Sequence, residues 1–153
     1  MAVNASKVNM QYDVDAAVLL RDIADGAETS TATETAISLS ELDTAYWHGN
    51  EIPHGVFEIG VHVSALNLST NTYAISLLVD DASGLNDSPV TIASYNITAT
   101  GFYKFLVDSK SIPGLDADSS GTDKWIGIRV TIGGTPNSPS ITYGAWIGKS
   151  IAA

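Results

Sequence analysis

From Thr33 onward apolar residues fall at every second position over several short segments, and this period of two narrows the fold more than any other feature of the chain. Successive side chains of a β-strand point to opposite faces, so strict alternation is what a strand buried on one face requires. Lys124 to Ile132 is the plainest case, with Ile126, Ile128, Val130 and Ile132 on one side and Gly127, Arg129 and Thr131 on the other. Gly55 to Ala65 sets Phe57, Ile59, Val61 and Val63 against Glu58, Gly60 and His62. Thr72 to Asp80 sets Tyr73, Ile75, Leu77 and Val79 against Ala74, Ser76 and Asp80. Thr35 to Ser40 (Ile37 and Leu39 inward), Val90 to Ile97, Phe102 to Asp108 (Tyr103, Phe105 and Val107 inward) and Ile141 to Ile147 complete the set. Clusters of Gly, Pro, Asn, Asp and Ser separate them, including a hairpin-type connection at Gly133 to Pro139.

Seven or eight such strands with no convincing helix between them predict two antiparallel sheets packed face to face, a β-sandwich or jelly roll. Parallel α/β folds are disfavoured, because their crossovers need a dozen or more residues, usually helical. Residues 1–13 show no sustained period and read as an extended N-terminal arm, leaving 14–153 as a single sandwich domain. Val14 to Gly26 fits a short helix or a strand, and a strand is the reading adopted; the Thr-rich Glu28 to Thr35 reads as a linker between arm and sandwich.

Charged residues make up only 16% of the 153, and the net charge is −10. The seven basic residues are scattered singly, whereas nucleic acids and anionic membranes are bound by clusters, so neither is expected as a partner. No cysteine is present, which removes disulfides and thiolate chemistry. The first residues lack the basic-then-apolar pattern of a secretory signal, so the chain is expected to be made and kept in the cytosol unless something else exports it.

Motifs for chemistry are weak. His48, His54 and His62 lie close in sequence with Glu51 and Glu58 among them, but the spacing lacks the pairing of a zinc site. Asp116, Asp118 and Ser120 followed by Gly121 match the opening half of an EF-hand calcium loop, but the twelfth position, Gly127, is not acidic and lies in a strand. A solvated turn is the simpler reading there, and again for Asp80, Asp81 and Asp87. No serine elbow or phosphate-binding glycine motif occurs, so no enzyme and no cofactor are expected. The aromatics offer more: Tyr46 and Trp47 sit between strands and Trp146 on the polar face of the last one, where an exposed Trp suggests a protein contact or a sugar platform.

Along most of its length the chain resembles the capsid cement, or head decoration, proteins of tailed bacteriophages that have a jelly-roll-like sandwich. The resemblance is carried by YDVDAAVLLRDIADGAETSTATETAISL, then VFEIGVHVSAL, the YxIxLxxDDxSG segment Tyr73 to Gly84, SPVTIASYNI, KWIGIRVTIGG and ITYGAWIGKS. It implies a structural protein of the virion exterior that binds the major capsid protein, ties capsomers together and associates with itself as a homodimer or homotrimer. The expected contacts are Val3, Val8, Met10 and Tyr12 of the arm with Tyr46, Trp47, His48 and Ile52. The competing expectation is a carbohydrate- or receptor-binding module of a phage fibre, with Trp47, Trp146 and Tyr95 stacking on sugars and an acidic loop holding calcium.

Overall fold

The computed structural model describes residues 19–38, 56–108, 125–135 and 137–148. They form ten strands: β1 (Leu19–Arg21), β2 (Ala27–Glu28), β3 (Ala32–Thr33), β4 (Ile37–Ser38), β5 (Val56–Leu66), β6 (Asn71–Asp80), β7 (Val90–Ile97), β8 (Gly101–Asp108), β9 (Trp125–Gly134) and β10 (Ile141–Ile147). The first sheet has the order β1-β10-β5-β8, with β2 also on β10; the second has the order β3-β9-β6-β7, with β4 also on β9. All ladders are antiparallel. Taking β1 with β2 and β3 with β4 as two interrupted strands leaves eight positions whose neighbours are those of a jelly roll.

The alternation read from the sequence is the alternation that folds. Ile59, Val61 and Val63 of β5, Tyr73, Ile75, Leu77 and Val79 of β6, Phe105 and Val107 of β8, and Ile126, Ile128 and Val130 of β9 are buried in one cluster. Ile141, Tyr143, Ala145 and Ile147 of β10 join them. Fully burying an aliphatic side chain of this size contributes about 1.5–3 kcal/mol, so the facing sheets stabilise each other through many similar terms.

The N-terminal part departs from expectation. Val14 to Gly26 is not one strand: within it β1 gives way to a 3-10 turn at Ile23–Asp25, begun by the Asp22 carboxylate accepting from the Ala24 N–H at 2.9 Å. Nor is Glu28 to Thr35 a linker outside the sandwich. Ala27 and Glu28 pair with Thr142 and Ile141 of the first sheet, whereas Ala32 and Thr33 pair with Val130 and Arg129 of the second. The segment straps the two sheets together. Within the strand expected over Thr35 to Ser40, β4 begins at Ile37 rather than Thr35, and Leu39 and Ser40 lie outside the described residues.

A buried cation holds the strap. The Arg21 side chain is 2% exposed, and its Nη1 lies 2.9 Å from both Glu28 Oε1 and Glu34 Oε1. Nη2 donates to the Gly26 carbonyl at 2.8 Å and Nε to the Tyr143 carbonyl at 3.1 Å, while the guanidinium sits 4.7 Å from the Tyr143 ring centroid. The Tyr143 hydroxyl in turn donates to Glu34 Oε1 at 2.9 Å. Burial, reinforced by the Glu34 carboxylate, pushes the Tyr143 phenol well above its ordinary pKa, so the hydroxyl remains a donor.

Removing one partner of a buried ion pair leaves the others uncompensated, at a cost of about 3–5 kcal/mol. Arg21→Ala is therefore expected to lower the urea unfolding free energy by about 3 kcal/mol and to expose 27–34 to proteolysis, and an unchanged midpoint would show that the clamp carries no load.

Candidate interaction surface

The two ends of the sandwich differ. At one, the chain turns through the short connections 29–31, 67–70, 98–100 and 135–140. Polar side chains seal this end. Asn71 donates to the carbonyls of Asn67 and Asn137 at 3.0 and 3.2 Å and accepts from the Asn137 N–H at 2.9 Å. The Tyr73 hydroxyl donates to the Asn67 carbonyl at 2.7 Å and accepts from the Ser140 N–H at 2.9 Å. Asn67 donates to the Ser138 carbonyl at 2.7 Å, so two of the four connections that link the sheets here are tied to each other.

At the opposite end lie the points where residues 1–18, 39–55, 109–124 and 149–153 attach to the sheets. Leu19 pairs with Trp146, next to Ile147, which pairs with Ile59. Val56 pairs with Asp108, and Trp125 pairs with both Ser38 and Asp80. Val3, Val8, Met10 and Tyr12, then Tyr46, Trp47, His48 and Ile52, then Asp116, Asp118 and Ser120 all lie outside the described residues. Their points of attachment nevertheless share one end of the body.

The 81–89 loop leaves from this end and is anchored. The Asp80 carboxylate accepts from the N–H groups of Asp81 and Asp87 at 2.8 and 2.9 Å, as expected of a turn that bonds its own backbone, although Asp80 is buried rather than solvated. Leu85, fully buried at φ 49°, packs with Ala36, Leu78 and Trp125 on the outer face of the second sheet. Gly127 makes room, since a Cβ there would meet Leu85 Cδ1. Arg129 fastens both sides, donating to the Leu85 carbonyl at 3.1 Å and to Thr33 Oγ1 at 2.8 Å.

On the outer face of the first sheet the His62 ring stacks on Phe102, with centroids 4.4 Å apart and planes 13° from parallel. Its Nδ1 is buried without a hydrogen-bond partner, and burial lowers its pKa. His48 and His54 lie outside the described residues, among which no group of three His, Asp or Glu is arranged to hold a metal. Trp146 is half-buried with its indole lying directly over Gly60, so the glycine marks a close approach. Tyr95 sits elsewhere, 4.8 Å from Phe105 and 6.4 Å from Tyr103 between the edges of the two sheets. Trp146 and Tyr95 therefore do not line one groove.

No protein-family model matches the chain, and no curated protein matches its sequence.

Sequence reasoning missed two exposed side chains, Phe102 and Leu106, by following only the inward face of β8. The signal was present: both stand out of phase with Tyr103, Phe105 and Val107.

Truncating a buried leucine costs about 2–5 kcal/mol, so Leu85→Ala is expected to destabilise by that order and to increase hydrogen exchange across 81–89 before global unfolding. His62 yields a pH effect of known sign. Its folded pKa is depressed, so the unfolded chain takes up the proton first, and the stability that neutral His62 contributes above about pH 6.5 is lost as pH falls toward the folded value. Thermal melts between neutral and mildly acid pH are expected to show a smaller decline for His62→Phe than for the parent.

Proposed function

We propose that this chain is a capsid decoration protein of a tailed bacteriophage, which docks on the outer surface of the head through the end bearing the arm and the 39–55 connection, and ties neighbouring capsomers together. The observation that carries this reading is that the attachment points of the segments before Leu19, between Ser38 and Val56, and between Asp108 and Trp125 share one end of the body. A rigid scaffold that directs several loops one way is the usual means of presenting a composite contact surface. The resemblance in sequence pattern points to the same partner, the major capsid protein. A net charge of −10 suits steering toward a basic surface on it.

In this reading each copy contributes a modest contact through Val3, Val8, Met10, Tyr12, Tyr46, Trp47, His48 and Ile52. Linking copies raises the effective affinity by about 10²–10⁴ without any new contact. The virion exterior is the expected location.

Purified protein is expected to co-sediment with heads of its own phage at a fixed stoichiometric ratio, and a chain lacking residues 1–13 to bind expanded heads more weakly while keeping its melting temperature. Equal decoration by the truncated chain would remove the arm from the mechanism. Failure of the full chain to co-sediment, together with calcium-dependent signals on a glycan array, would replace this reading by the carbohydrate-binding one.

A further inference from the structure

Four of the five large apolar side chains that stand exposed among the described residues lie on one wall of the sandwich: Val90 and Tyr95 on β7, and Phe102 and Leu106 on β8. Phe102 and Leu106 are the most open, at 62% and 61%. Together the four expose about 400 Å² per copy, taking roughly 150–250 Å² for a whole aromatic side chain and less for the aliphatic ones. Apolar patches of about 300–600 Å² are the largest on typical monomers and often mark a contact site.

The backbone of the same wall is open to pairing. Natural sheets blunt their edges by interruption, shortness, bulges, proline or charged side chains, lysine above all. Here β1 and β2 are broken by the 3-10 turn and a register shift, β3 and β4 have two residues each, and β7 carries a shift opposite Leu77 and Leu78. Of these devices β8 has only a lysine, Lys104 at its centre. It contains no proline, pairs with β5 without a shift from Val56↔Asp108 to Val63↔Gly101, and among the described residues has no partner on its other side.

Its charges allow a copy of itself to approach. On the outer face of β8, Phe102, Lys104 and Leu106 alternate, and Lys104 Nζ lies 3.0 Å from Glu58 Oε2. Within a chain of net charge −10 this patch is neutral. Glu58 sits opposite Leu106, diagonal to Lys104, and so draws the ammonium back over its own sheet.

We propose that two copies of this chain associate edge to edge through β8, antiparallel about a two-fold axis at Lys104. Phe102 of each copy then lies opposite Leu106 of the other, the two Lys104–Glu58 pairs point away from the axis, and the first sheet runs continuously through both copies. Phe102 and Leu106 flank the seam on the outer face of β8, and Val90 and Tyr95 flank it on the inner side, at the gap between the sheets. The association is self-complementary, as a two-fold contact must be. It holds whether or not the chain decorates a capsid, and it is read on the isolated protein.

Sedimentation of the full chain across a concentration series is expected to show a monomer–dimer equilibrium. The double variant Phe102→Lys with Leu106→Lys should shift it toward monomer by about 100-fold or more, since like charges then meet across the axis. Its melting temperature should stay near that of the parent, because both side chains are exposed. The absence of cysteine allows a second measurement. Under mild oxidation Lys104→Cys should form a disulfide-linked dimer, which needs Cβ atoms within about 4 Å, faster than Thr131→Cys on the exposed face of β9. A monomer at every concentration, an oligomer indifferent to the lysine variant, or cross-linking no faster at 104 than at 131 would each overturn the proposal.

Discussion

Each sheet buries one face against the other, and this mutual covering sets the register of every long ladder. A shift of one residue in β9 would turn Ile126, Ile128 and Val130 outward and bring Gly127, Arg129 and Thr131 into the core, so the pairing of β9 with β6 has a single acceptable phase. Once that phase is set, so are the directions of Leu78 and Gly127 on the outer face, and with them the seat of Leu85 and the course of the 81–89 loop. On the other sheet the same rule directs Trp146, His62 and Phe102 outward.

This dependence explains what could be read from the sequence. The bounds of β7 and β10 coincide with Val90 to Ile97 and Ile141 to Ile147 as read by alternation, and the inward sets of β6, β8 and β9 agree, as does that of β5 from Ile59 to Val63, because each follows from a period visible within ten residues. Residues 27–33 carry no such period. Their strands are two residues long and pair with β10 and β9, about a hundred positions away in the chain, so tertiary context alone makes them strands. Arg21 was illegible for a related reason. Its partners Glu28, Glu34 and Tyr143 meet only after both sheets have formed, and until then it looks like any solitary surface cation. Of the candidate site, the residues themselves were named from composition and position, whereas their common end of the body depends on ladder register and left no local trace.

The buried polar groups are distributed accordingly. The Asn67, Asn71, Asn137 and Tyr73 network closes the end with short turns, and the Arg21 network closes the side where the strap passes between the sheets. Both tie segments distant in sequence through well-satisfied hydrogen bonds, which favours a single arrangement over several loosely packed ones. Among the described residues no such network spans the β7–β8 wall, where Tyr95 lies at the gap between the sheets and Phe102 and Leu106 are exposed.

The opposed ends also dictate what can be attached to this scaffold and where. Residues 1–18 and 149–153 join the body at Leu19 and Gly148, at the same end as the attachment points of 39–55 and 109–124. The 98–100 turn faces the other way and is braced by the Tyr103 hydroxyl donating to the Ala99 carbonyl at 2.8 Å. A foreign peptide spliced between Ile97 and Gly101 would be displayed at the end opposite Leu19, Val56 and Trp125.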